Sequence, residues 1–420
     1  MNNRQISLKK QIRKRFTSIL FCFLACGSVL FLTAQNSMAE RRYSLSGQLD
    51  ISGGATNSLQ WTQQSGSFAQ QELHAYYAVS PSLDLKTEGR NFDLDLGYGF
   101  SYNHYDQTAP LTTRSHYVRG QFSSNLSENL HLSISNRFKS TPDYISYELA
   151  RNLVVFSDGF GYAYTPVPSR KFFRTNDTHG RLDWDLSPRS FLSFIVGGNY
   201  RDYEESENTQ LLQNDQYRFE GSLGYNRRHS SRTTWNVRYL ASKNIYKSYG
   251  SALTHSGMVG ISHQLRPSVM FSFEAGPSYV TTSRSDKNYI GYAAHFRMTK
   301  TMEITQVSLF AMHRSGDSSG IGYISDTDRG GIGFVFRPIR YVNIAFNSSA
   351  YRSRQRHDLH LTLWGVDGGA QVSWVFNRFI RLGCGASYRR NEGYVTLDRE
   401  YKQFYGSINL TAPEFWNTTL

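Results

Sequence analysis

Tyr341-Val342-Asn343-Ile344-Ala345-Phe346-Asn347-Ser348-Ser349-Ala350 follows Gly333-Phe334-Val335-Phe336-Arg337 after a tight corner at Pro338-Ile339. In the return segment Val342, Ile344, Phe346 and Ala350 alternate with Asn343, Ala345, Asn347 and Ser349. The next segment repeats the rule: Trp364, Val366, Ala370, Val372, Trp374 and Phe376 fall on one parity, Asp367, Gly369, Gln371 and Ser373 on the other. After a second short corner, Asn377-Arg378-Phe379, the residues Ile380, Leu382, Cys384, Ala386 and Tyr388 alternate with Arg381, Gly383, Gly385, Ser387 and Arg389. Side chains that switch faces every residue define strands, and an apolar parity against a polar one defines a sheet between two different solvents. Short corners alternating with longer polar connections are the pattern of a transmembrane β-barrel.

Working outward, the same unit recurs along the chain. Phe92, Leu94, Leu96, Tyr98, Phe100 and Tyr102 form an unbroken stripe against Asp93, Asp95, Gly97, Gly99, Ser101 and Asn103. Corners are expected at Ser80-Pro81, Ser127-Glu128-Asn129, Ser187-Pro188-Arg189, His229-Ser230-Ser231, Arg266-Pro267-Ser268 and Thr299-Lys300-Thr301. The tetrad Glu88-Gly89-Arg90-Asn91 reads either as a bulge or as a hairpin turn. The stretch from Ser140 to Asn176, with Pro142, Pro166 and Pro168, breaks the rhythm and reads as a long surface loop able to fold into the barrel mouth. The last strand is expected over Tyr401–Leu410. The count is about 16–18 strands of a single antiparallel up-and-down barrel, all-β, even-numbered as single-chain bacterial barrels are. No linker divides it, so residues 40–420 form one domain.

Composition agrees. Aromatic residues make up 15% of the 420 residues, with 28 Tyr and 27 Phe, while mean hydropathy is −0.50. Aromatic richness without overall greasiness excludes a bundle of membrane helices and suits a barrel with interfacial girdles. Tyr98, Tyr102, Trp184, Tyr200, Trp235, Tyr279, Trp364, Trp374 and Tyr388 are placed for such girdles. Residues 1–39 read as a cleaved export signal: a basic start, an apolar run from Phe16 to Ala34, and the small-x-small site Ser37-Met38-Ala39. A retained membrane anchor is the alternative. That segment takes six of the 46 basic residues and no acid, leaving 40 against 33, a net +7. No basic block remains of the kind that neutralises a nucleic-acid backbone, so no nucleic-acid partner is expected. Cys22 and Cys26 leave with the signal; Cys384 remains, on the apolar parity, as a small hydrophobe.

The turn sequences Ser80-Pro81-Ser82-Leu83, Leu186-Ser187-Pro188-Arg189 and Leu265-Arg266-Pro267-Ser268 resemble those of a poorly characterised family of outer-membrane β-barrels. That family accompanies exopolysaccharide and exosortase systems. Phe273-Glu274-Ala275-Gly276-Pro277-Ser278-Tyr279 and Ser319-Gly320-Ile321-Gly322 are similar to its recurring blocks, and the likeness covers most of residues 70–410. The resemblance implies an outer-membrane barrel of a Gram-negative bacterium, with a link to polysaccharide. Partners would be outer-membrane lipids, the barrel-assembly machinery, and polysaccharide or periplasmic export components.

The polar parity carries the candidate site. It holds Arg119, Arg137, Arg181, Arg201, Arg218, Arg238, Arg381 and Arg389, with Asp93, Asp95, Asp183, Asp185, Glu220, Glu274 and Asp367. Two roles fit: lining water in a channel wide enough to conduct, or pairing across strands to fill the interior. Catalysis has no motif behind it. His255/Ser256 and His313/Ser315 are the spacings chance gives in a serine-rich chain, and His357-Asp358-Leu359-His360 lacks a third metal ligand. Gly97, Gly99, Gly365, Gly368 and Gly369 fall within strands, not in a phosphate loop, and no cofactor is expected. A sugar-stacking track would need inward aromatics, of which Tyr117 and Tyr351 are the few candidates, thin support for glycan conduction. The expected function is a passive, porin-like channel for polar solutes or saccharide export; a plugged structural barrel and a lipid-processing barrel enzyme are the competitors.

Overall fold

The computed structural model describes residues 42–56, 73–106, 111–141, 173–203, 215–247, 250–283, 285–317, 324–355, 362–392 and 399–419. They form eighteen strands. The first six are β1 (Arg42–Thr56), β2 (His74–Glu88), β3 (Phe92–Tyr105), β4 (Leu111–Ser127), β5 (Leu130–Thr141) and β6 (Phe173–Ser187). Then come β7 (Ser190–Tyr203), β8 (Gln216–Arg228), β9 (Thr233–Tyr246), β10 (Gly250–Arg266), β11 (Val269–Thr282) and β12 (Ser285–Thr301). The last are β13 (Thr305–Asp317), β14 (Ile324–Ile339), β15 (Val342–Gln355), β16 (Thr362–Val375), β17 (Ile380–Glu392) and β18 (Arg399–Thr419). Each strand pairs with its sequence neighbour, and β18 returns to pair antiparallel with β1, so the sheet is a closed ring with β1 and β2 in the wall. Closure leaves no sheet edge whose backbone groups would go unpaired.

The tight turns gather at one end, where the start of β1 and the end of β18 also lie, since Arg42 is opposite both Glu88 and Thr419. Their chemistry is local. Glu88-Gly89-Arg90-Asn91 is a turn, closed by Gly89 N–H donating to Phe92 O at 2.8 Å. Asn377 Oδ1 accepts from the Phe379 and Ile380 amides at 2.8 and 2.9 Å, and Ser187 Oγ accepts from Arg189 N–H at 3.3 Å.

The ladders correct several boundaries. Ser80-Pro81 is no corner: β2 runs straight through it, with Pro81 opposite Leu49. The β2–β3 ladder omits only Ser80 and Pro81 and resumes in the same register at Ser82↔Gly99. Proline has no N–H to give, and one missing donation is tolerated where the other neighbour keeps its register. β12 continues to Thr301, which moves the expected Thr299–Thr301 corner on to Met302–Ile304. Strand pairing also claims both ends of the expected 140–176 loop, because Ser140 lies opposite Arg174 and Thr141 opposite Phe173; residues 142–172 lie outside the described residues. β18 is longer than expected, with Tyr43, Ser44 and Leu45 paired to Thr418, Asn417 and Trp416 beyond a bulge at Leu45/Gly47.

The two parities separate as the alternation requires. On β9, Val237 is 55% exposed whereas inward Asn244 is 5% exposed. Trp184, Trp235, Tyr239, Ile408 and Cys384 share the exposed outer face. The polar parity is the concave one, because its side chains bridge strands that are second neighbours in the ring, as the next contacts show.

Candidate functional site: the charged inner face

Four groups of contacts organise the polar face, and each spans three strands. In the first, the register places Asp84 of β2, Gly97 of β3 and Arg119 of β4 in one row. Arg119 Nη2 reaches over Gly97 to Asp84 Oδ1 at 2.7 Å, with Asp95 Oδ1 at 3.7 Å. A β-carbon on Gly97 would lie 2.5 Å from both Arg119 Nε and Asp84 Oδ1, so only glycine leaves room for the pair to lie against the wall.

The second group repeats this on β6–β8. His179 stands opposite Gly197, which stands opposite Glu220. His179 Nδ1 is 3.7 Å from Glu220 Oε1, His179 Nε2 is 3.0 Å from Asp177 Oδ1, and Arg218 Nη2 is 3.1 Å from Glu220 Oε2. The third lies on β9–β11, where Asn236 Nδ2 donates to Glu274 Oε1 at 2.5 Å across Gly260 while Arg238 pairs with the other carboxylate oxygen. On β14–β16 a serine replaces the glycine. Arg329 Nη2 donates to Ser349 Oγ at 2.9 Å, Ser349 Oγ donates to Asp367 Oδ1 at 2.8 Å, and Arg329 Nη2 lies 3.4 Å from Asp367.

All fifteen candidates fall on this one face in the register. Besides those above, Arg181 Nε pairs with Asp183 at 2.7 Å, Ser193 Oγ donates to Asp183 at 2.5 Å, and His131 lies 3.5 Å from Asp185. Arg137 stands opposite Arg119 and Asp177, and Asp93 opposite Glu88 and Ser123. Arg201 stands opposite Thr175 and Gln216, Arg381 opposite Val375 and Asn409, and Arg389 opposite Asp367 and Tyr401. Sequence reasoning missed Asp84, hidden behind the supposed Ser80-Pro81 corner, and Asp177 and His179, beside the supposed loop. It also missed Arg329, Asn236 and Ser349, whose part depends on second-neighbour geometry. Inward aromatics are more numerous than Tyr117 and Tyr351: the register adds Tyr76, Tyr105, Tyr246, Tyr289 and Tyr405. The Tyr76 and Tyr105 rings stack at 5.9 Å.

One arrangement has the order of a nucleophile, base and carboxylate. Ser315 Oγ is 3.5 Å from His313 Nε2, and His313 Nδ1 is 2.7 Å from Asp328 Oδ1. Yet Ser315 Oγ donates instead to Asp326 Oδ1 at 2.7 Å and is 1% exposed, which leaves a substrate no approach. Ser256, beside His255, donates to Ser278 at 3.1 Å. His357 and His360 lie outside the described residues.

No protein-family model matches this chain, and no curated protein does. Solved structures with a similar course are outer-membrane proteins. OccK2 (OpdF) of Pseudomonas aeruginosa, crystallised with glucuronate, is 9% identical, aligning 88% of this chain with 98% of its own at a TM-score of 0.48. The outer membrane protein opdK of the same organism is 8% identical over 89% of this chain and 98% of its own, TM-score 0.47. The siderophore receptor PirA, also from that organism, is 10% identical over 88% and 80%, TM-score 0.43. At these scores the likeness extends to general architecture and says nothing of solute or partner.

Proposed function

We propose that the protein is a passive, porin-like channel for polar solutes in the outer membrane of a Gram-negative bacterium. One observation carries the reading: a closed ring of eighteen strands with an apolar outer face encloses an inner face of charged and polar side chains. A ring of this number is wide enough for water. Buried charges that served only to fill a core would cost more than apolar residues of similar volume. Rows of both signs facing water instead create a field that orients polar and zwitterionic solutes. Residues 1–39 would direct export and be removed before Glu40, which N-terminal sequencing of the membrane-inserted protein would read. Saccharide is a candidate solute through the family resemblance and the inward tyrosines.

The deciding experiment is single-channel recording of the refolded protein in planar bilayers, intact and with residues 142–172 replaced by a short Gly/Ser linker. Stable current steps are the expected result. Silence from both forms would overturn the channel and leave a structural barrel whose surface connections do the work.

A further inference from the structure

The wall is forked between β12 and β13. Both strands run on toward the end opposite the tight turns, to Ser285 and Asp317, yet their ladder stops at Ala293↔Arg314. Beyond that point β12 stays paired with β11 as far as Ser285, and β13 stays paired with β14 as far as Asp317. The ends of β13 and β14 leave the plane of the wall inward. Its outward-facing Ser315 sits in front of the inward side of Gly291, where an added β-carbon would lie 2.2 Å from Ser315 Oγ. Inward Ser278 of β11 donates to the Ser315 carbonyl at 3.2 Å, and inward Tyr289 of β12 donates to both Asp326 oxygens at 3.2 Å. The overlap buries what it joins: Ser278 and Ser315 are 1% exposed and Asp326 is 4% exposed. On the outer side the Tyr292 and His313 rings stack at 3.9 Å across the fork.

We propose that the ends of β13 and β14 form a hinged flap that narrows the lumen by lying on the inner wall of β10–β12. The inference rests on the channel reading. Two resting places are open to it, each with its own hydrogen bonds. Folded inward, the flap is held by Tyr289 on Asp326 and by Ser278 on the Ser315 carbonyl. In line with the wall it would extend the existing β12–β13 register through Tyr292/Ser315 and Gly291/Gly316, exchanging side-chain bonds for ladder bonds and widening the bore. An element with two such positions is what a gate requires. Gly291 is the residue that permits the inward one.

The parent form for the test is residues 40–420, free of Cys22 and Cys26, with Cys384→Ala and Ser278→Cys; it gives up the Ser278 bond but keeps that of Tyr289 to Asp326, and it is labelled by a polar thiol reagent while single-channel current is recorded. Gly291→Val removes the space for Ser315 and biases the flap to the in-line position; Tyr289→Phe removes one of its inward bonds. Each is expected to raise the labelling rate of residue 278 about tenfold, the effect of losing one or two net hydrogen bonds on a local opening. Each is also expected to raise the mean current. Ser315→Gly added to Gly291→Val should return both to the parent values, which a misfolded variant would not do. Unchanged labelling in both variants overturns the flap. Faster labelling with unchanged current keeps the movement and overturns the gating. Faster labelling with no current in any form sinks the channel reading itself.

Discussion

Arg119 and Arg238 each hold a carboxylate two strands away, Arg119 directly across Gly97 and Arg238 diagonally from beside Met258 to Glu274, which lies opposite Gly260, but their settings differ. The Arg119 side chain is 47% exposed and that of Asp84 20%, whereas Arg238 and Glu274 are each 19% exposed. Exposed pairs spend most of their Coulomb energy on desolvation and side-chain ordering and are worth roughly 0–1 kcal/mol. The Arg238 pair is better shielded, and Asn236 holds the second oxygen of Glu274. Truncating Arg238→Gln leaves a half-satisfied carboxylate and should cost about 2–3 kcal/mol, against under about 1 kcal/mol for Arg119→Gln. Urea unfolding in lipid vesicles, with a double-mutant cycle for each pair, measures both, and equal couplings would refute the distinction. The glycines beneath these pairs show where sequence reading stops. Alternation puts Gly97 and Gly260 on the polar face, but only the curvature of the ring brings the flanking charges together above them.

At the scale of the strand, period-two patterning settles far more. It puts all fifteen candidate charges on one parity and the aromatics expected for a girdle on the other, because facing depends on nothing beyond residue count. Boundaries were harder. Pro81 reads as a turn former, and its place inside β2 depends on which neighbour wants its N–H, a tertiary matter. At the fork beyond Ala293/Arg314, β12 keeps its alternation through Tyr292 and Ile290, whereas β13 ends in the polar Ser315-Gly316-Asp317, which reads as the start of a loop rather than as a strand leaving the wall. The strand-level prediction concerns β9, where Val237 faces outward in line with Trp235 and Tyr239. In the proposed outer-membrane setting, an arginine there would bring its charge into hydrocarbon, at about 2–4 kcal/mol near the bilayer midplane. Asn236→Arg, one residue away on the inner face, has water and carboxylates to meet and should cost less than half as much. Parallel urea titrations would expose the error if the two variants unfolded alike.

For the whole molecule, stability depends on where the ring closes. The β1–β18 seam joins residues about as far apart in sequence as the barrel allows, so it can form only when the strands between are in place. The final stretch of β18 matters more than its polar end suggests. Trp416, Asn417, Thr418 and Thr419 pair with Leu45, Ser44, Tyr43 and Arg42, while β2 holds the other side of the same four residues. Ending the chain at Ala412 removes those four pairs and leaves that side of Arg42–Leu45 as an open edge at the tight-turn end, though the pairing from Gly47 to Thr56 survives. Cross-strand pairs contribute roughly 0.2–1 kcal/mol each, so the truncated chain should still close but lose about 1–4 kcal/mol, fraying from that end. The expected sign is a lower urea midpoint, with hydrogen exchange accelerated in Arg42–Leu45 and unchanged in Ile51–Thr56. If the midpoint stayed put, the last residues would be passengers and closure would rest on Gln403–Ala412 alone. Acceleration over all of β1 would instead mean that the seam closes as one cooperative unit.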